Sequence, residues 1–328
     1  LALERRSSGG ERGLMRIGVV FPGQGSQVVG MGAQVAREYP AAAECFRIAK
    51  HVVGYDLAAI CEHGPDETLR ETRYAQPAIF VTNVAIRAAV GAMLEPVVSA
   101  GHSFGEYCSL HIAGAMSFEA ALALVNERAL AMHRAGAAAP GAMAAVLGLE
   151  PDALRAVVAA TVAGGAGRVQ EANFNAPGQI VISGDPAAVR AAGDAALAAG
   201  AKRVVPLNVA GAWHSVLMAP AREAFSRYVR DAAIVMPRFT VISNVDAAAY
   251  TDVMTIRDHL ERSVTDEVRW HETALAMIAL ELDLIVEFGA SPVLGPMLRR
   301  VDGAPQAISV KDGSGVEKLR AMLAPARA

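Results

Sequence analysis

The sequence predicts an α/β protein built on a parallel sheet with helices on both faces, plus a small ferredoxin-like α+β insert. Three observations lead there. Two short apolar runs, IGVVF at 17–21 and PVVSA at 96–100, each end in a glycine-rich turn that opens a helical pattern. That strand, turn, helix alternation predicts a parallel sheet, and in such sheets ligands gather at the carboxyl ends of the strands. Between 141 and 207 the rhythm changes to shorter elements that suit a separate antiparallel sheet.

The elements follow in order. The start, 1–14, holds Arg5, Arg6, Ser7, Ser8, Gly9, Gly10 and Arg12 and lacks the apolar stretch of a signal peptide, so it is expected to be a tail or linker. After the strand at 17–21, helical patterns cover about 30–53 and 76–92. The most apolar stretch, 77–94, is broken by Thr82, Asn83 and Arg87. A membrane span needs about 20 nearly uncharged residues, so a buried helix is predicted there instead. The strand at 96–100 runs into a helix from Glu106, and another helix covers 118–135. The insert reads as strand 142–147, helix 151–163, strand 178–183, helix 186–199 and strand 203–209. A helix near 220–231, a strand at 239–243, helices near 256–263 and 272–280, and a strand at 284–288 complete the pattern. The expected division is a tail at 1–14, a core from 15–140 and 208–328, and a small subdomain at 141–207.

Composition narrows the function classes. Of 328 residues, 53% are hydrophobic and 19% charged, a globular balance. A net charge of −3 gives no reason to expect nucleic acid, and no segment calls for a membrane. Cys45, Cys61 and Cys108 are odd in number and scattered, which disfavours a disulfide framework or zinc cluster and suits a reducing cytoplasm.

Chemistry concentrates at Gly101-His102-Ser103-Phe104-Gly105, a G-x-S-x-G run between a strand and a helix. A turn that sharp needs small residues beside the serine and exposes its hydroxyl above the sheet, with the next backbone N–H and the helix N-terminus aimed at the same point. An ordinary turn serine fits the same pattern. A nucleophilic serine needs a base. His111 lies about 12 Å along the helix from Ser103 and is too far. His102 is adjacent, where side chains diverge. His51, His63 and His259 sit among charges and read as solvated, and His271, beside Trp270, reads as structural. His214 emerges just after the insert rejoins the core, where a lone histidine serves either structure or catalysis. No acidic third member stands out, so a Ser–His dyad oriented by a backbone carbonyl is as plausible as a triad.

Arg128 shares a helical stripe with Ala121, Leu124, Val125 and Met132, an apolar face with no acid at three or four residues. A buried unpaired guanidinium costs several kcal/mol, so it needs an anion from elsewhere. A protein carboxylate, escape to water along its stem, and a bidentate grip on a substrate carboxylate are all open. The turn from Pro22 to Gln27 lacks the Lys-Ser/Thr of a phosphate loop, and Val28 stands where G-x-G-x-x-G needs glycine. It is better placed to lend a second backbone N–H to an oxyanion site.

FPGQGSQ at 21–27, GHSFGEY at 101–107, the helix with Arg128, NFNAPGQIVISG at 173–184, AWHSVLM at 212–218, SNVDA at 243–247 and VEFGASPVLGPM at 286–297 resemble the malonyl-CoA:acyl carrier protein transacylases and the acyltransferase domains of polyketide synthases. The resemblance runs in order from Ile17 to about Val301. It implies a hydrolase-like core and a ping-pong transfer of malonyl from malonyl-CoA to the phosphopantetheine thiol of an acyl carrier protein, with no resident cofactor. In that scheme Ser103 is the nucleophile and His214 the general base. The N–H groups of Gln24 and Phe104 form the oxyanion hole, Arg128 holds the malonyl carboxylate, and His102 and Trp213 line the substrate pocket. Ser263 aligns with the glutamine whose main-chain carbonyl usually orients the histidine. Phe104 stands where smaller aliphatic residues are usual, and Trp213 where Phe or a smaller residue is. Two aromatics there would exclude α-branched acyl groups or reshape the pocket for another one. An acyl hydrolase is the alternative, against which Arg128 argues, and a catalytically dead docking module is disfavoured by Ser103 and His214. Carrier proteins are acidic, so Lys202, Arg203, Arg299 and Arg300 are candidates for a basic patch near the pocket mouth, or are ordinary solvated charges.

Overall fold

The computed structural model describes residues 15–324; the expected tail at 1–14 lies outside the described residues. Nine strands form among them: β1 (Ile17–Phe21), β2 (Val98–Gly101), β3 (Ala142–Leu147), β4 (Val169–Ala176), β5 (Gln179–Gly184), β6 (Arg203–Pro206), β7 (Thr240–Ile242), β8 (Leu284–Phe288) and β9 (Gln306–Val310). The continuous apolar run of β1 is buried throughout, because the strand lies in the middle of a five-stranded parallel sheet of order β7-β2-β1-β8-β9. Its side chains alternate between faces. Val19 and Phe21 join a core with Phe80 and Val84, and Val20 joins one with Trp270 and Leu294. Each such side chain contributes about 1.5–3 kcal/mol on leaving water.

The register of β1 on β2 pairs Phe21 with Gly101. The turn from Pro22 and the turn from His102 therefore leave the same sheet edge side by side, and His102 N donates to Phe21 O at 2.9 Å. This pairing brings the two glycine-rich motifs, 80 residues apart in sequence, into one place.

The second sheet is antiparallel, of order β4-β5-β3-β6. The helices Pro151–Ala163 and Pro186–Ala198 bury Leu154, Val158, Val189 and Ala192 against Val146, Ile180 and Ile182. Its β-α-β-β-α-β order is ferredoxin-like and contains one strand more than the predicted β-α-β-α-β. The missed strand, β4, is irregular: its pairing with β5 shifts register between Glu171 and Asn173 and between Phe174 and Ala176. Its polar Gln170, Asn173 and Asn175 hide the apolar alternation a strand normally shows. A parallel bridge from Asn173 to Val268, with Phe174 N donating to Val268 O at 2.9 Å, ties this strand to the main body.

Other boundaries move for local reasons. The helical stretch predicted at 30–53 is two helices, Ala33–Glu38 and Pro40–Val53, because Pro40 lacks an N–H and sits best in a first turn. β6 stops at Pro206, short of the predicted 209, and β9 was not predicted. Among the described residues no helix is long and apolar enough to cross a membrane. All three cysteines are buried and free.

Candidate active site

Ser103 sits at the tip of the turn after β2 with φ 55°, a left-handed conformation that strains a residue bearing a Cβ. Close packing imposes it. A Cβ on Gly101 would lie 1.9 Å from Gly105 C, and one on Gly105 2.3 Å from Phe21 O, so only glycine fits at either position. Asn244, just beyond β7, brackets the turn. Its Oδ1 accepts from Ser103 N at 3.1 Å and its Nδ2 donates to Gly101 O at 2.7 Å. Glu106 holds Asn244 in turn, accepting from Asn244 N at 2.9 Å and from Asn244 Nδ2 and the Tyr250 hydroxyl. Burial pushes the Glu106 carboxyl up, and the bonds from Tyr250 and Asn244 pull it back.

His214 also has φ 55°. Ser103 Oγ lies 2.8 Å from its Nε2, and its Nδ1 lies 3.1 Å from the carbonyl of Asp266. A carbonyl only accepts, so Nδ1 carries the proton and the Nε2 lone pair faces the serine hydroxyl. Burial first, then the charge of Arg128 and the neighbouring His102, lowers the imidazole to about 3, while backbone hydrogen bonds to Asp266 and Ser263 act the other way. The backbone of Ser263, expected to orient the histidine, thus reaches the ring, and Asp266 joins it there. Asp266, in the turn after the helix Val253–Arg262 and its cap Ser263, supplies the 3.1 Å contact to Nδ1.

Arg128 is 0% exposed in the helix Phe118–Ala138, and the rest of its predicted stripe is buried with it. Its Nη1 donates to Gln76 Oε1 at 2.8 Å and its Nη2 to Ser103 Oγ at 3.3 Å. Its Nε has no partner, and among the described residues no carboxylate forms an ion pair with it. Of the three possibilities left open by the sequence, the protein salt bridge and the escape to water are thereby removed. Burial lowers its affinity for the proton, opposed by Tyr107 and Glu106.

These groups converge on a cavity of about 320 Å³ lined by Gln24, His102, Ser103, Arg128, Trp213 and His214 among others. That is the small end of the range for ligand pockets and suits a short acyl group. Phe104 is 1% exposed and lines it too. Gln24 and Phe104 both line the cavity, and among the described residues neither backbone N–H has another acceptor. His102 is fixed by a 2.8 Å bond from Nε2 to Asn175 Oδ1 and tilts against Trp270. The Trp213 indole is seated against Gly136 and Gly211, where any Cβ would come within 3.1 Å of the ring.

One sequence expectation does not hold. His259, read as solvated, is 6% exposed and bonded through Nδ1 to Ser243 Oγ at 2.9 Å: it lies on the inner face of a helix whose charged residues face out. Lys202, Arg203, Arg299 and Arg300 do not line the cavity itself, whose wall carries Arg70. Three of them stand near the tip of the small sheet. Lys202 packs on Gly148, Arg203 pairs with Leu147, and Arg300 donates to Pro177 O and Gln179 Oε1. Sequence reasoning missed Gln76, Asn175, Asn244 and Asp266 as members of the site. Asn175 and Asn244 lie inside recognised motifs, and Gln76 precedes a proline in an apolar helix, a polar residue out of place.

Comparison with known proteins gives the chain its family. Residues 19–311 match the acyl transferase domain family. The chain is 40% identical over 302 residues to the malonyl CoA-acyl carrier protein transacylase of Haemophilus influenzae, covering 91% of this chain and 96% of that one. The crystal structure of an acyl carrier protein S-malonyltransferase from Vibrio cholerae O1 biovar eltor superposes with a TM-score of 0.88 at 38% identity, covering 93% and 99% of the two chains. A type II polyketide malonyl-transacylase solved in complex with its acyl carrier protein superposes with a TM-score of 0.87 at 36% identity, covering 92% and 98%. The chain belongs to the acyl transferase family and is an acyltransferase of its malonyl-CoA:acyl carrier protein transacylase group.

Proposed function

We propose that this acyltransferase moves a malonyl group from malonyl-CoA to the phosphopantetheine thiol of an acyl carrier protein through an ester on Ser103, supplying fatty-acid or polyketide synthesis in the cytoplasm. The observation that carries the proposal is a cation without a counter-ion beside a nucleophile. Arg128 is fully buried without a carboxylate, and its Nη2 lies 3.3 Å from a serine oxygen that is itself 2.8 Å from His214 Nε2. A substrate with a thioester at one end and a carboxylate at the other satisfies both groups at once.

His214 takes the Ser103 proton as Oγ bonds to the thioester carbon, and the N–H groups of Gln24 and Phe104 receive the developing oxyanion. The C–S bond breaks and the imidazolium returns its proton to the CoA thiolate. In the second half the carrier thiol gives its proton to His214, its sulfur attacks the ester, and Ser103 leaves as the hydroxyl. The substrate carboxylate also cancels the Arg128 charge, one of the causes that holds His214 low, so the base strengthens when the correct substrate is in place. Each charge-assisted hydrogen bond contributes about 1.5–3 kcal/mol, which favours malonyl over acetyl by roughly one to two orders of magnitude. The curated relatives bear transacylase names, which support transfer over the hydrolase alternative. No cofactor is needed for these steps.

Intact-protein mass spectrometry after mixing with malonyl-, methylmalonyl- and acetyl-CoA tests the proposal. A malonyl adduct is expected on the wild type and none on Ser103→Ala. Steady release of malonate without carrier protein, or an adduct that survives in Ser103→Ala, would overturn it.

A further inference from the structure

The backbone on both sides of His214 is held by one side chain from the small sheet. Gln170 lies on β4, and its Nε2 donates to His214 O and to Thr265 O, both at 3.3 Å. Its Oε1 accepts from Val216 N at 2.9 Å. Both donors of the amide and its oxygen are thus committed to two loops. One loop carries the strained His214; the other, 263–266, presents the Asp266 carbonyl that accepts from His214 Nδ1. Arg262 and Arg222 also brace the second loop, through Asp266 Oδ2 at 2.9 Å and Thr265 Oγ1 at 3.3 Å.

We propose that Gln170 is a positioning residue for acyl transfer, setting the orientation of the His214 imidazole by stapling the histidine loop to the loop that supplies its acceptor. The proposal rests on His214 being the general base. The chemistry of the amide is specific. Glutamate has no donor for the two carbonyls and would set a negative charge against them, and methionine keeps the length but neither bonds nor charge. Gln170 reaches the imidazole only through backbone and touches no reacting atom. Its effect should therefore fall on the chemical step rather than on substrate affinity. Misplacing a catalytic group by about 1 Å costs on the order of 100-fold.

The test is a double-mutant cycle on the rate of malonyl-enzyme formation, with Gln170→Met, Gln170→Glu, His214→Ala and Gln170→Met/His214→Ala. Gln170→Met is expected to slow acylation by roughly 10- to 100-fold with the KM for malonyl-CoA within about twofold of wild type. Gln170→Glu should slow it at least as much. The double variant should be no slower than His214→Ala alone, since a residue acting only through the imidazole has nothing left to position. A Gln170→Met enzyme of wild-type rate, or losses that multiply in the double variant, would overturn the proposal. If His214→Ala itself keeps the wild-type rate, it is the base assignment that fails, and the cycle separates the two results. Should Gln170→Glu fold poorly because of its half-buried charge, the uncharged methionine variant decides alone.

Discussion

Ser103 and His214 share the same backbone angle, φ 55°, and are held in it by opposite means. The serine is wedged. Gly101 and Gly105 leave no room for a Cβ, Phe21 O closes the space above, and a buried Asn244–Glu106–Tyr250 cluster fixes the turn from the side. The histidine is suspended. Its loop leaves the sheet after β6 and is fastened by Gln170 from the small sheet and by the Asp266 carbonyl from a third segment. A nucleophile that must meet an oxyanion hole built from its own turn gains from rigidity in the core. A base that moves protons between serine, CoA and carrier thiol is held by individually modest hydrogen bonds of about 0.5–1.5 kcal/mol each, at the seam between the two sheets.

The wedge breaks most severely. Gly101→Ala puts a methyl group 1.9 Å from backbone that cannot yield. It should cost more than about 3 kcal/mol of stability and abolish malonyl adducts; chemical denaturation and mass spectrometry would read both. Loss of the suspended group should spare the fold. His214→Ala is expected to lower the acylation rate by roughly 10²- to 10⁴-fold with a normal unfolding midpoint at neutral pH.

The same variant sharpens the contrast in acid. The imidazole is lowered to about 3 by burial first and Arg128 second, whereas an unfolded histidine titrates near 6.5. Below about 6.5 the unfolded chain gains a proton that the fold refuses. The stability tied to the neutral ring is therefore complete above that pH and is lost as the pH falls toward 3. The unfolding midpoint of His214→Ala should decline less steeply than that of wild type between pH 6.5 and 4, and parallel curves would contradict the assignment. The smallest effect is expected at the surface. Arg299→Glu with Arg300→Glu should raise the KM for an acidic carrier protein by roughly three- to tenfold, less so in high salt, without altering malonyl-CoA loading.

This contrast also explains what the sequence disclosed. The wedge is local: strand, small residues and serine lie within a few positions, so Ser103 and the parallel sheet are legible directly. Arg128 is legible for a similar reason, since a cation on an apolar stripe of a 21-residue helix is a visible anomaly. The suspension is assembled from distant segments. The local sequence does not say what Gln170, Asn244 or Asp266 bonds to, because each meets its partner across 40 or more residues. The strand β4 escaped prediction because the polar residues that reach the site from it, Gln170, Asn173 and Asn175, erase its apolar alternation. His259 was misplaced by its charged neighbours, which occupy the outward face of its helix.

The central claim, that the buried Arg128 receives the free carboxylate of the acyl group while Ser103 takes up its carbonyl, is tested most directly by one ratio. Malonyl and acetyl loading would be measured by intact mass on wild type and on Arg128→Ala at equal CoA ester concentrations. The malonyl-to-acetyl ratio should fall by roughly 10- to 100-fold in the variant. An equal loss of both adducts, with the ratio unchanged, would contradict the claim.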